Sequence, residues 1–148
     1  MENNNNNLNR KFAEVLNEVP NFSTDETANA GSRTYKYLNL ATLLKNIKPI
    51  FEKNGLAFTQ KVTFDGTGDG RQIIGTIETI IFDDTDQMTV CEYPFFVTGD
   101  PQQVGSAITY ARRYSLTTIL GIFPDKDDDG SYARQQYETA DKPIGAEQ

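Results

Sequence analysis

Two adjacent arginines, Arg112 and Arg113, stand inside the longest run of helical spacing in the chain. At about 100° per residue, Gln102, Ser106, Thr109, Arg113 and Thr117 fall on one face of a helix predicted over 101–120. A guanidinium among hydroxyls and an amide suits phosphate oxygens, with the Arg supplying charge and the others neutral hydrogen bonds. Arg112 lies about 100° further round. That puts it at the edge of a small apolar stripe of Val104, Ile108, Ala111, Ser115 and Ile119, within reach of a second phosphate or an acidic neighbour. The plainer reading of the pair is a solvated helix face or an intramolecular salt bridge. Lys36 sits between Tyr35 and Tyr37, a pattern that offers either a stacking platform with a phosphate contact or two core tyrosines and a solvated lysine. Lys61 alternates with Thr59 and Thr63 against Phe58 and Val62, so it faces solvent or a polyanion. Lys48, with Glu52 at i+4, reads as part of an ordinary exposed helix together with Lys45.

What the chain lacks is equally informative. Its 148 residues include no His, no Trp and one Cys, with 14 basic and 21 acidic side chains. Ser-His-Asp and Cys-His catalysis and His-ligated metals are excluded, and one Cys makes neither an internal disulfide nor a multi-Cys zinc site. No apolar run approaches the ~20 residues of a membrane span. Met1–Asn7 is polar and acidic, unlike a secretory leader, so a cytoplasmic protein is expected. Gly66, Gly68 and Gly70 lack the lysine of a phosphate-binding loop and read as a hairpin turn.

The elements that must position the basic residues follow from periodicity. Leu8, Phe12, Val15, Leu16 and Val19 form a helical stripe closed by Pro20; Asn3–Asn7 before it is expected disordered, and Asn21–Ser32 after it a mobile loop. Tyr35-Lys36-Tyr37 alternates like a strand. Asn39 caps a second helix that ends at Asn54-Gly55, with Pro49 inside it expected to kink it or split off the last turn. Three strands follow over 56–64, 71–82 and 88–97, with short turns that favour an antiparallel meander. Asp100 as N-cap, Pro101 at N1 and Gly121 as stop bound the long helix. The fold class is α+β, an antiparallel β-meander packed against a long helix, with an N-terminal segment 1–32, a core 33–124 and an acidic, largely flexible tail 125–148.

The net charge of −7 is unevenly spread. Residues 31–82 sum to +3, whereas 1–30, 83–99 and 125–148 carry −3, −4 and −4. A mildly basic body between acidic ends keeps a polyanionic partner open despite the acidic total.

The stretch Asp100-Pro101-Gln102-Gln103-Val104-Gly105-Ser106-Ala107-Ile108-Thr109-Tyr110-Ala111-Arg112-Arg113-Tyr114-Ser115-Leu116 resembles the signature of the Erf (essential recombination function) family. So do Leu120-Gly121-Ile122, Asp127-Asp128-Asp129-Gly130 and, upstream, Tyr35-Lys36-Tyr37-Leu38, Ile47-Lys48-Pro49 and Asn54-Gly55-Leu56, in matching order over about residues 33–130. These are single-strand annealing proteins of phages and prophages. The resemblance implies a β-β-β-α core like that of ring-forming annealing mediators. It also implies assembly into rings or filaments and ATP-independent annealing of single-stranded DNA during homologous recombination in a bacterial cytoplasm, with no enzymatic activity. A host or phage single-strand-binding protein is a further partner it admits. The groove residues it suggests are Arg112, Arg113, Lys36 and Lys61, with Tyr35, Tyr37, Thr109, Ser106 and Gln102 beside them.

No cofactor is expected. Asp125, Asp127, Asp129 and Gly130 match the first half of an EF-hand loop, but its twelfth position falls on Gln136 and no second hand follows. A weak divalent-ion site, an acidic mimic of DNA and a solvated loop all remain open for this run. The competing function is a non-enzymatic oligomeric structural or adaptor protein without DNA binding. Cys91 is expected to be a buried structural thiol.

Overall fold

The computed structural model describes residues 4–20, 26–30, 33–66, 73–97 and 99–122, and within them the side chains of all but residues 4–6, 26–30 and 33–37. Two compact units result: Met1–Pro20 with Leu40–Ile122, and Asn21–Asn39 with Phe123–Gln148.

In the first unit, the stripe beginning at Leu8 forms α1 (Asn4–Glu18), with Leu8 and Val15 buried. The helix begins inside the asparagine run expected to be disordered, because adding a turn to an existing helix is far less costly than nucleating one. Helix α2 (Leu40–Lys53) buries Leu43, Ile47 and Phe51 at successive i, i+4 positions. Pro49 sits inside α2 and does not split off its last turn. The C-terminus is closed by Gly55, at φ 72°, where only Gly is unstrained. Gly55 N–H donates to the Glu52 carbonyl and Leu56 N–H to that of Phe51, at 3.0 and 2.9 Å, which satisfies carbonyls left over at the helix end. Phe51 then anchors this end of the molecule, with its ring 4.7 Å from Phe58 and 6.4 Å from Phe12.

The three predicted strands are observed as β3 (Ala57–Asp65), β4 (Ile73–Phe82) and β5 (Gln87–Val97), in an antiparallel sheet of order β3-β4-β5. The expected meander is therefore present. Its inner face carries Ile77, Thr79 and Ile81, all fully buried, with Phe58, Gln60 and Val62 opposite them on β3. The outer face carries Thr59, Lys61 and Thr63 on β3, facing Ile80, Glu78 and Thr76 on β4. A bulge shifts register between Thr79 and Ile80, so that Thr79 faces Cys91 and Ile80 faces Thr89. Cys91 is half-buried and reduced rather than fully buried.

Helix α3 (Pro101–Leu120) lies against β5 and β4, with both predicted ends in place. The Asp100 carboxylate accepts from Gln102 N–H at 3.0 Å, and Gly121 at φ 65° ends the helix. Ala111, Ser115, Leu116 and Leu120 are buried. The packed stripe keeps Ala111 and Ser115 of the expected set and is rotated toward Leu116 and Leu120, leaving Val104, Ile108 and Ile119 half-buried.

In the second unit, β1 (Glu26–Ala30) pairs antiparallel with β2 (Arg33–Tyr37), with Ala30 opposite Arg33 and Glu26 opposite Tyr37. Residues 26–30, expected to be loop, are a strand. Glu, Ala and Asn have low strand propensity, and the ladder to β2 overrides it.

Candidate nucleic-acid interface

Helix α3 is about 30 Å long and carries most of the candidate residues. Gln102, Ser106 and Thr109 are exposed on one face, with Arg113 half-buried among them. The hydroxyl ladder is less generous with donors than its composition suggests. Thr109 Oγ1 donates to the Gly105 carbonyl at 3.1 Å, and Thr117 Oγ1 to the Arg113 carbonyl at 3.0 Å. Both hydroxyls keep acceptor capacity, while their protons are committed to the helix.

The two arginines part company. The Arg113 guanidinium lies over the rings of Tyr110 and Tyr114, 5.7 and 5.4 Å from their centroids, and those rings stack at 4.3 Å. Cation–π attraction of this kind helps to hold a guanidinium in place. Tyr110 and Tyr114 escaped the candidate set because one turn of spacing reveals neighbouring rings but not what rests on them.

Arg112 points to the sheet. Its Nε donates to Gln60 Oε1 at 3.1 Å, and Gln60 Nε2 donates back to the Arg112 carbonyl at 3.1 Å and to Thr79 Oγ1. One amide thus clamps the arginine by side chain and backbone together. Neither the acidic partner nor the salt bridge anticipated for Arg112 occurs among the described residues. Gln60 is the residue the sequence reading missed. Its place on the Phe58–Val62 face was legible, but not that α3 would set Arg112 against it.

Lys61 is exposed, on the outer sheet face and so on the opposite side from Gln60 and Arg112. It stands directly across from Glu78, which in turn stands across from Glu92. Lys36, Tyr35 and Tyr37 lie in β2, across from Thr27, Ala28 and Glu26, and their side chains are outside the described ones. Asp125, Asp127 and Asp129 are outside the described residues altogether. Among the described residues no three His, Cys, Asp or Glu side chains group as metal ligands, and no helix is long and apolar enough to cross a membrane.

Two other cations, Lys11 and Lys53, are neutralised where they stand. Lys11 Nζ meets Asp83 Oδ2 at 2.9 Å, with the Asp83 side chain 2% exposed. The other Asp83 oxygen, Oδ1, accepts from the backbone N–H groups of Thr85 and Asp86 and from the Thr85 hydroxyl. Lys11 first, then those backbone donors, hold the Asp83 carboxyl well below the usual carboxylate range. Lys53 pairs with Glu18 at 3.3 Å nearer the surface.

A three-stranded antiparallel meander backed by one long helix, with an arginine seated on the sheet by an amide, defines a β-β-β-α protein of the α+β class. The chain belongs to the ERF superfamily, whose family model matches residues 8–147. Among curated proteins, none is significantly similar to it.

Proposed function

We propose that the protein binds single-stranded DNA and anneals complementary strands without ATP, as a homo-oligomeric ring or filament acting in phage or prophage recombination in the host cytoplasm. Membership of the ERF superfamily supports this reading. The structural observation that carries it is the Gln60 clamp on Arg112, which fixes a guanidinium through neutral groups.

Annealing needs backbone charge to be masked while base edges stay free to pair. A positioned guanidinium does this without reading sequence, because it engages phosphate. In this reading Arg112 and Arg113 take phosphates, and Gln102, Ser106 and Thr109 supply further polar contacts along α3. Lys36, Tyr35 and Tyr37, in the second unit, are proposed as DNA contacts of that unit in their own right. Lys61, beside Glu78 on the other sheet face, contributes only where a strand passes round the β3 edge. Repeating one basic strip around an assembly concentrates positive potential that a single acidic chain lacks. No catalytic residue and no cofactor is required.

The test is annealing of two complementary oligonucleotides without ATP, by wild type, Arg112→Ala and Arg113→Ala, each checked for cooperative unfolding. Wild type should accelerate annealing, and Arg112→Ala should lose about tenfold or more, the worth of a charged hydrogen bond. Well-folded wild type that neither binds nor anneals from low salt upward overturns the proposal in favour of an adaptor, since an adaptor gives no salt-dependent DNA binding.

A further inference from the structure

Two phenylalanines at the same end of the sheet are strongly exposed, Phe64 at 51% and Phe96 at 63%. They lie on opposite faces. Phe96 stands across from Ile74 on the outer face, where the described strand positions include Asp65, Glu78 and Glu92 against one cation, Lys61. That face repels phosphate. Phe64 continues the inner row of Phe58, Gln60 and Val62, across from Gly75 and, beyond it, Phe95. No strand residue on the inner face is charged, and the charge delivered to it is Arg112, through Gln60.

Phe64 is also held. Its ring meets Phe95 edge-on, with centroids 6.4 Å apart and planes at 79°. Phe95 in turn lies over Gly75, where a Cβ would fall 2.4 Å from the nearest ring carbon. Glycine there lets Phe95 lie down on the sheet and buttress Phe64. Phe58 and Val62 in the same row are half-buried, whereas α3, lying over β5 and β4, leaves the far end of β3 uncovered. Gln60 and Phe64 are four residues apart, about 13 Å along the strand, a span of a few nucleotides.

We infer that Phe64 is a base-stacking residue, receiving an unpaired nucleobase of the strand whose phosphate is held by Arg112; this rests on the single-stranded DNA reading above. An aromatic ring paired with a guanidinium, on a sheet face whose described strand residues include no acid, is the combination that binds single strands without sequence preference. Phe96, equally aromatic and more exposed, lies on the face away from Arg112, where acids outnumber Lys61 among the described strand residues.

The chain contains no Trp, so Phe64→Trp and Phe96→Trp each create a single fluorescent reporter. An oligothymidylate should quench Trp at position 64, an abasic oligonucleotide of the same length should not, and neither should quench Trp at position 96. Phe64→Ala and Phe64→Leu should both bind oligothymidylate roughly five- to hundredfold more weakly than wild type, yet bind the abasic strand equally. The leucine variant guards against misfolding, since it keeps the apolar bulk. Wild-type affinity in either variant, equal losses on both strands, or quenching by the abasic strand overturns the role of Phe64 alone. Wild type that binds neither strand overturns the DNA reading and this inference with it.

Discussion

Lys11 and Arg112 are both cations half withdrawn from water, and they are held by opposite means. Lys11 pairs with a carboxylate that is itself bonded by two backbone N–H groups, so the site ends neutral and fully satisfied. Arg112 is held by an amide, which fixes its position and leaves its charge standing. A cation spent on a carboxylate fastens α1 to the β4–β5 turn and has little left to offer a ligand. A cation seated on an amide is rigid and still positive, which is what a phosphate needs.

Turning the second kind of site into the first should have the largest effect. Gln60→Glu keeps an acceptor for Arg112 Nε but supplies the missing negative charge. It also sets an anion against the Arg112 carbonyl, at a cost of about 1 kcal/mol or more of stability. Single-stranded DNA affinity should fall about tenfold, and the log–log salt slope should shrink by about 0.7, one phosphate contact. An unchanged slope would show that the amide does not matter. Lys11→Met is the converse: it strands a buried carboxylate, so the urea midpoint should drop clearly while the salt slope of DNA binding stays at the wild-type value. Loss of DNA affinity in that variant, beyond what unfolding explains, would erase the distinction between the two sites.

Acid titration sharpens the same contrast. The folded-state pKa of Asp83 is lowered, so the pair contributes fully above the ordinary carboxyl value of about 3.9 and is lost as pH falls through the lower folded value. Wild-type stability should therefore decline below about pH 4, and Lys11→Met should show a shallower decline over that window when unfolding midpoints are compared. The smallest effect is expected from Lys53→Ala. Its partner Glu18 is half-buried but the lysine is largely exposed, so the change should stay within roughly 1 kcal/mol in chemical denaturation.

Features written in local chemistry were legible from the residues. Asp100, Pro101 and Gly121 mark both ends of α3 because capping needs only neighbours within a turn. Alternation in β3 put Lys61 opposite Phe58 and Val62, as observed. What could not be read depends on coverage at long range. Gln60 and Arg112 are 52 residues apart, and nothing near either predicts the other. Phe58 and Phe64 obey the same alternation, yet Phe58 packs on Phe51 while Phe64 meets only the edge contact with Phe95 among the described rings and stays exposed. The strand at 26–30 has poor intrinsic propensity and exists through its ladder to β2. The phase of the buried stripe on α3, shifted to Leu116 and Leu120, depends on where β4 and β5 meet the helix, which spacing within the helix does not encode.

The Lys11–Asp83 pair also sets an order in time. Its two residues are separated by 72 positions, so α1 leaves the ribosome long before its anchor exists. At about 5–20 residues per second, that gap lasts roughly 4–14 s. A lone helix of this length is marginal in water, so α1 depends first on α2, where Phe51 receives Phe12, and gains its ion pair to the sheet only once Asp83 is made. The contacts within the meander and between β5 and α3, by contrast, join neighbours in sequence and close quickly once made. The ion pair that fastens α1 to the sheet is therefore made later than its packing on α2.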